Sequence, residues 1–296
     1  MEKAKSAREF RVLVATDGSI PSRRAVATTV RCPWPARTRV RAVVARRTGA
    51  EFRQSILLAA LDRSADLTAR DARRTLARRW PDAEVVVVDK APIDGVLGEA
   101  ERFGADVVAM GWRGHGTMRR LLMGSVSRGV ARSARCAVLI VRNRPKEVRR
   151  IVIGFDGSAN AERAVALVAR LPPPDGCEAT LFQAVDQIPV PAQGLAPAAI
   201  YRTMRAEVAL QNKERLVAAR RALDRAAAGL TRRGWRARVV ITTGAPLRDC
   251  LATASSVQAD LVVVGARGAT GVKRLLLGSV AAGVLDRCPV PVLVVR

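Results

Sequence analysis

Val107-Val108-Ala109-Met110-Gly111-Trp112-Arg113-Gly114, then nine residues, then Gly124-Ser125-Val126, is a stretch that occurs twice in the chain. The second copy reads Leu261-Val262-Val263-Val264-Gly265-Ala266-Arg267-Gly268, nine residues, Gly278-Ser279-Val280, each landmark 154 positions on. From 111 to 141, 14 of 31 positions are identical at that offset, which marks an internal duplication. In both copies a short apolar run ends at the first glycine, and such a run predicts a strand buried on both faces of a parallel sheet. The glycines let backbone approach a ligand closely or take positive φ at no steric cost. A helical pattern starts after each Gly-Ser, so the free N–H groups of a helix start face whatever the loop holds. That place suits an anion, and a phosphate is the expected occupant. One G-x-x-G requires only a tight turn; two at the same spacing, each between a strand and a helix, point to a ligand.

Working outward, the first strand is expected at 11–16 and its copy at 150–155, ending at Asp17-Gly18-Ser19 and Asp156-Gly157-Ser158. An acid at the carboxyl end of a buried strand is either the N-cap of the next helix or a ligand contact, because open α/β sheets bind at that edge. Helices follow at 22–30 and 160–171 and stop at Pro33-Trp34-Pro35 and Pro172-Pro173-Pro174, since proline cannot extend them. Second strands are expected at 38–45 and 179–185, second helices at 54–80 and 199–233, and third strands at 84–88 and 238–242. Ala91-Pro92 and Ala245-Pro246 open the third helices, and Asp106 and Asp260 close turns before the fourth strands. Last helices at 126–134 and 280–287 lead to fifth strands at 137–141 and 291–295. The second copy is 15 residues longer between its first acid and third strand, largely in the Pro/Gly/Ala loop 187–198, a lid or a surface excursion. The charged, proline-broken stretch 142–147 is a linker between domains at 1–143 and 147–296. Each half alternates strand and helix, which gives an α/β fold with a parallel sheet covered on both faces. Both glycine loops and the first acid then share one carboxyl edge.

Composition narrows the function classes. With 296 residues and 49% apolar content each half can bury its own core. No run reaches the roughly 20 apolar residues that span a bilayer, and the charged start lacks a signal peptide's apolar stretch, so a cytoplasmic location is expected. Five cysteines without a Cys-x-x-Cys pair argue against a zinc site or a disulfide framework. Fifty-one basic against 26 acidic residues give a formal +25, which attracts polyanions at low salt. The arginines are spread over both halves, and one tyrosine with five phenylalanines supplies few stacking platforms for nucleic acid.

The pattern G-x2-G-x9-G-S, a short helix and a last apolar strand together resemble the universal stress protein family in its ATP-binding branch, over nearly the whole chain as two tandem domains. The resemblance implies Rossmann-like strand order 3-2-1-4-5 in each half, with fifth strands pairing edge to edge in an internal pseudo-dimer and any homodimer using other surfaces. It also implies ATP, alone or with Mg²⁺, in one pocket per half, in a regulatory or stress-response role; around the loops no nucleophile-base-orienter set appears, which argues for binding rather than fast phosphoryl transfer and leaves slow ATP hydrolysis open. In the first pocket these residues would be Ala15, Thr16 and Asp17, Val43 or Val44 behind the adenine, Gly111, Arg113, Gly114 and Gly124, with Ser125, Val126 and Ser127 on the phosphates. In the second they would be Gly154, Phe155, Asp156, Ala184 or Val185, Gly265, Arg267, Gly268, Gly278, Ser279 and Val280. The copies depart from the pattern at three places. Trp112 stands where the family has something small, to close over the base or obstruct it; Ala281 replaces Ser127; Phe155 replaces Thr16. Arg119, Arg120, Lys273 and Arg274 place further cations near a triphosphate. His115, the only histidine, faces Ala269 in the repeat, which excludes a role needed by both pockets. No Walker lysine follows the glycines. Two other readings stay open: an interaction scaffold for unidentified protein partners with degenerate pockets, and a basic polyanion-binding protein.

Overall fold

The computed structural model describes residues 9–46, 55–114, 123–143, 147–190, 192, 197–268 and 277–296, and for 55–58 the backbone alone. The first half runs β1 (Phe10–Ala15), α1 (Ile20–Arg31), β2 (Thr38–Arg46), α2 (Ser55–Leu76), β3 (Glu84–Asp89), α3 (Pro92–Phe103), β4 (Val107–Gly111), α4 (Ser125–Ser133) and β5 (Ala137–Val141). The second half repeats it as β6 (Arg150–Gly154), α5 (Ala159–Arg170), β7 (Glu178–Ala184), α6 (Ala198–Thr231), β8 (Arg236–Thr242), α7 (Pro246–Ser256), β9 (Leu261–Gly265), α8 (Ser279–Arg287) and β10 (Val292–Val295). The continuous apolar runs account for the central strands: every residue of β4, β5 and β10 is buried, as strands covered on both faces must be.

All strands belong to one ten-stranded sheet of order β3-β2-β1-β4-β5-β10-β9-β6-β7-β8. Pairing is parallel within each half, and β5 meets β10 antiparallel. At that seam Leu139 pairs with Leu293, Ile140 with Val292 and Val138 with Val294. Leu293 is the repeat counterpart of Leu139, and the flanking pairs exchange counterparts, so a pseudo-two-fold axis passes through the leucine pair. Edge strands that would otherwise invite foreign pairing are closed against each other. Each face of the sheet carries one apolar cluster that crosses the seam: Val14, Leu139, Ile153 and Leu293 lie in one, and Leu13, Ile140, Val152 and Val294 in the other.

Asp106 and Asp260 tie the starts of the central strands together. Asp106 accepts the Arg11 backbone N–H at 2.9 Å, and Asp260 accepts those of Arg149 and Arg150 at 3.0 and 2.8 Å. Asp106 also meets Arg170 of the other half at 3.5 Å, whose guanidinium lies 4.7 Å over the Phe10 ring. The second copy's extra length goes into α6, 34 residues of which only Ala219, Leu223 and Leu230 are buried. The described part of the 187–198 loop is tied to that helix: Asn212 accepts from Ile188 N–H and donates to Ile188 C=O, at 2.8 and 3.0 Å. Among the described residues no helix is long and apolar enough to cross a membrane.

Candidate functional site

At the carboxyl edge β1 and β4 lie side by side, Ala15 opposite Met110, and β6 and β9 repeat the arrangement. The turns after β1 and β6 are built alike. Ser19 caps α1, accepting from Ser22 N–H, and Ser158 caps α5, accepting from Ala161 N–H. The capping alternative for the two acids is therefore corrected: the serine two residues on takes that place. Asp17 Oδ1 and Asp156 Oδ1 instead accept the N–H of Ser19 and Ser158, each at 3.0 Å. This bracing requires positive φ between them, 80° at Gly18 and 76° at Gly157, where glycine avoids the Cβ penalty. None of the six loop glycines has positive φ; that conformation belongs to the acid turns.

The other carboxylate oxygens face the glycine loops. A Cβ built on Gly114 would overlap Asp17 Oδ2, and one on Gly268 would lie 2.5 Å from Asp156 Oδ2. Acid and second loop glycine thus converge in both halves. The first loop glycines answer to packing: a Cβ on Gly111 would lie 2.7 Å from the Pro21 carbonyl carbon, and one on Gly265 2.9 Å from Asn160 Cβ. They let α1 and α5 start against the sheet, and no ligand is needed to account for them.

Gly124 and Gly278 are the N-caps of α4 and α8, and neither helix has a side-chain cap. α1 and α5 are capped by serines, whereas α3, α6 and α7 also lack a side-chain cap; what sets α4 and α8 apart is that their free N–H groups start beside the glycine loops. Each cap glycine donates back to its loop, Gly124 to Trp112 C=O at 3.0 Å and Gly278 to Ala266 C=O at 2.8 Å. A Cβ on Gly124 would stand 3.3 Å from Arg113 Cα, and one on Gly278 3.4 Å from Arg267 Cα. Ser125 and Ser279 are exposed beside these ends, with Val126 and Val280 half-buried. Ser127 is buried, and its hydroxyl donates to Gly111 C=O at 2.7 Å. Its proton pins α4 to the end of β4, a staple that Ala281 cannot make in α8.

Thr16 receives the Gly18 N–H and meets the Ser22 hydroxyl, at 3.3 and 3.1 Å; Phe155 in its place is buried in the core. Val43 and Val44 are both buried, and Val43 C=O accepts the Thr16 N–H at 3.0 Å. The second-half equivalence needs correction. Ala15 pairs with Val43 and Gly154 with Phe182, so Phe182 and Gln183 are the counterparts of Val43 and Val44. Ala184 falls one position beyond them, and Val185, past the end of β7, corresponds to Arg46. The insertion lies beyond β7: Val43 and Phe182 are 139 positions apart, as are Asp17 and Asp156, so the offset of the two acids already carries this register.

Trp112 neither closes over nor blocks the carboxyl edge. Its indole is buried at the seam, donates from Nε1 to Leu285 C=O of α8 at 3.1 Å, and lies between the guanidiniums of Arg113 and Arg142 at 4.5 and 4.1 Å.

Beside Asp17 opens a cleft of about 440 Å³, walled by Asp17, Gly18 and Arg23 on one side and by Arg63, Ser64 and Thr68 of α2 on the other. Sequence reasoning missed the α2 residues. Ser64 and Thr68 share a helix face by their spacing, but nothing along the chain says that this face meets the acid turn. The contact is close: a Cβ on Gly18 would lie 2.6 Å from Thr68 Oγ1, whereas one on Gly157 would meet nothing within 4 Å. The first pocket therefore has a helical wall at a place where, among the described residues, nothing stands within 4 Å of a Cβ at Gly157. His115, Arg119, Arg120, Ala269, Lys273 and Arg274 lie outside the described residues, and among those described no three His, Cys, Asp or Glu side chains gather as a metal site.

The family model described as the universal stress protein family matches residues 10–142 and again 147–296. The universal stress protein Rv2005c of Mycobacterium tuberculosis is 29% identical over 204 residues, covering 65% of this chain and 62% of that protein. The universal stress protein MJ0531 of Methanocaldococcus jannaschii is 45% identical over 53 residues, 18% of this chain and 31% of that one. The chain thus spans about three fifths of the Mycobacterium relative's length. A universal stress protein of Archaeoglobus fulgidus has the same fold, with a TM-score of 0.65 at 20% identity over 97% of this chain and 98% of that one. Two family matches in succession, together with a duplicated α/β half whose glycine loops meet a strand-end acid, mean that this chain belongs to the universal stress protein family as a tandem pair of its domains.

Proposed function

We propose that the chain binds ATP at the carboxyl edge of each half and serves as a nucleotide-responsive regulatory protein. The observation that carries this reading is the junction, in each half, of a glycine-capped helix start at Gly124 or Gly278 with the glycine loop. Each start is tied to a loop whose second glycine faces a carboxylate. Free N–H groups at the start of α4 and α8 suit phosphate oxygens, with the exposed Ser125 and Ser279 beside them and the backbone of Arg113 and Arg267 against the cap glycines. Asp17 and Asp156 stand where a ribose or base would come to rest. Were Mg²⁺ to accompany the nucleotide, it would rest mainly on phosphate oxygens and water with at most one carboxylate, as that ion commonly does.

Ligand that binds only the folded chain stabilises it by mass action, by about 2.7 kcal/mol per site at a hundredfold excess over Kd, and so raises its melting temperature. ATP is expected to produce such a shift in the parent protein. Replacing both Gly124 and Gly278 with valine should abolish it while leaving the ATP-free melting profile cooperative. A folded double variant with the full parental shift would rule the pockets out. Retention of the shift in one single variant and its loss in the other would assign the nucleotide to one half.

A further inference from the structure

We infer that the two pockets are energetically coupled through a bridge made by Trp112 and α8, so that ATP at one raises affinity at the other; the inference rests on the nucleotide reading of both pockets. Trp112 belongs to the first glycine loop by its backbone and to the second half by its side chain. Its N–H bonds to Val141 C=O at 2.8 Å, and its C=O receives the N–H of Gly124, the residue that caps α4. Its indole donates to Leu285 C=O in the last turn of α8. The opposite end of α8, nine residues and about 13 Å long, begins at Gly278, the cap of the second pocket. One rigid element therefore has the second pocket at its start and the first pocket's loop at its finish.

The charges around this helix reinforce the arrangement. A helix end rich in carbonyls favours donors and cations, and its start favours an anion. Arg142 donates to the carbonyls of Asp286 and Cys288 at 3.2 and 3.5 Å and stacks on the Trp112 ring, while Arg128 of α4 pairs with Asp286 at 2.8 Å. A phosphate at the start of α8 firms the helix whose finish holds Trp112, and Trp112 in turn sets Gly124. Each ligand favours the same bridged arrangement, which makes the coupling positive.

The bridge is built once. Arg296, the repeat counterpart of Arg142, donates to Ala131 C=O at 2.7 Å at the finish of α4. Its loop, however, carries Ala266, which has no side chain to reach across. The contact is thus one-sided in structure, although the affinity changes must be reciprocal, because linkage between two binding equilibria is symmetric.

The test is calorimetric titration of ATP into the full chain. The parent gives the overall affinity of both pockets, Gly278→Val that of the first alone, and Gly124→Val that of the second alone. With coupling, the parental two-site affinity exceeds the product of the single-site values by about fivefold or more. In the Trp112→Ala background the excess should collapse to within about twofold, and Arg142→Gln, which leaves the loop itself intact, should diminish it as well. Independent constants in the parent would overturn the coupling and leave the nucleotide reading standing, as would an excess undiminished in both backgrounds. Absence of any ATP binding to the parent would remove both.

Discussion

Leu293→Lys tests the seam most directly. Leu293 and its partner Leu139 are each 1% exposed, and both lie in the apolar cluster that crosses from one half to the other. The lysine stem replaces much of the leucine's packing, so the main cost is the charge. An ammonium at that place would have to give up its proton or pull the seam open. Holding lysine neutral at pH 7 costs about 1.4 kcal/mol for each unit below its usual pKa of about 10.4, hence roughly 4–5 kcal/mol. That is a large part of the 5–15 kcal/mol typical of a folded domain. The sign of the pH dependence follows. The folded-state pKa is depressed below the unfolded one, so the penalty is largest at low pH and fades as pH rises toward the unfolded value. At pH 9.5 it should fall to about 1 kcal/mol. Urea unfolding of parent and variant at pH 7 and 9.5 gives both numbers, with Leu293→Met as the control for shape. A loss below about 1 kcal/mol at pH 7, or a larger one without recovery at pH 9.5, would mean that the side chain reaches water and that the seam is not the closed junction described.

Four further outcomes are expected. Gly111→Ala should destabilise the ligand-free chain by about 1–3 kcal/mol because its Cβ meets the Pro21 backbone, whereas Gly124→Ala should cost at most about 1 kcal/mol; equal losses in urea unfolding would contradict the packing account of the first glycine. Ser127→Ala should cost about 0.5–1.5 kcal/mol without ATP by removing the bond to Gly111, and an effect seen only with ATP would return the hydroxyl to the phosphates. The two pockets should differ severalfold in ATP affinity, because α2 walls the first at Gly18 while nothing among the described residues stands close to Gly157; equal constants in Gly124→Val and Gly278→Val would refute a role for that wall. Burial pushes the Cys32 and Cys250 thiols up to about 12 and Cys136 up to about 11, so the folded protein should label slowly with a thiol reagent at pH 8 and react at all five cysteines once denatured. Fast labelling of two or more in the folded state would count against this packing.

Much of the architecture was legible because the chain states it twice. The fixed offset of the glycine loops, the two successive Asp-Gly-Ser turns and the apolar fifth strands together give the order of elements, the shared carboxyl edge and, with the family resemblance, the antiparallel join. One equivalence goes astray although the chain states it: the offset of 139 that links Asp17 to Asp156 also links Val43 to Phe182, which leaves Val185 opposite Arg46, and the extra length enters only after β7. The role of Trp112 was illegible. A bulky residue inside a glycine loop suggests a ligand contact, but its partner, the Leu285 carbonyl, is a backbone atom 173 residues away. The same holds for Ser64 and Thr68, whose face of α2 acquires meaning only where the helix leans on Gly18. Ser127 carries a different lesson: its hydroxyl, in the first turn of α4, has an acceptor in the Gly111 carbonyl at the end of β4.

The pseudo-two-fold axis through Leu139 and Leu293 has a consequence for how such a chain can change. In a dimer of identical subunits every substitution appears on both sides of the axis, so a tryptophan introduced into the loop would have to find room twice. Joining the two copies in one chain removes that constraint. Trp112 reaches α8 where its counterpart is Ala266, Phe155 takes the place of Thr16 and Ala281 that of Ser127, each solution adopted on one side alone. The symmetric backbone has become a frame on which two pockets can specialise separately, one reinforced across the junction and the other left simple.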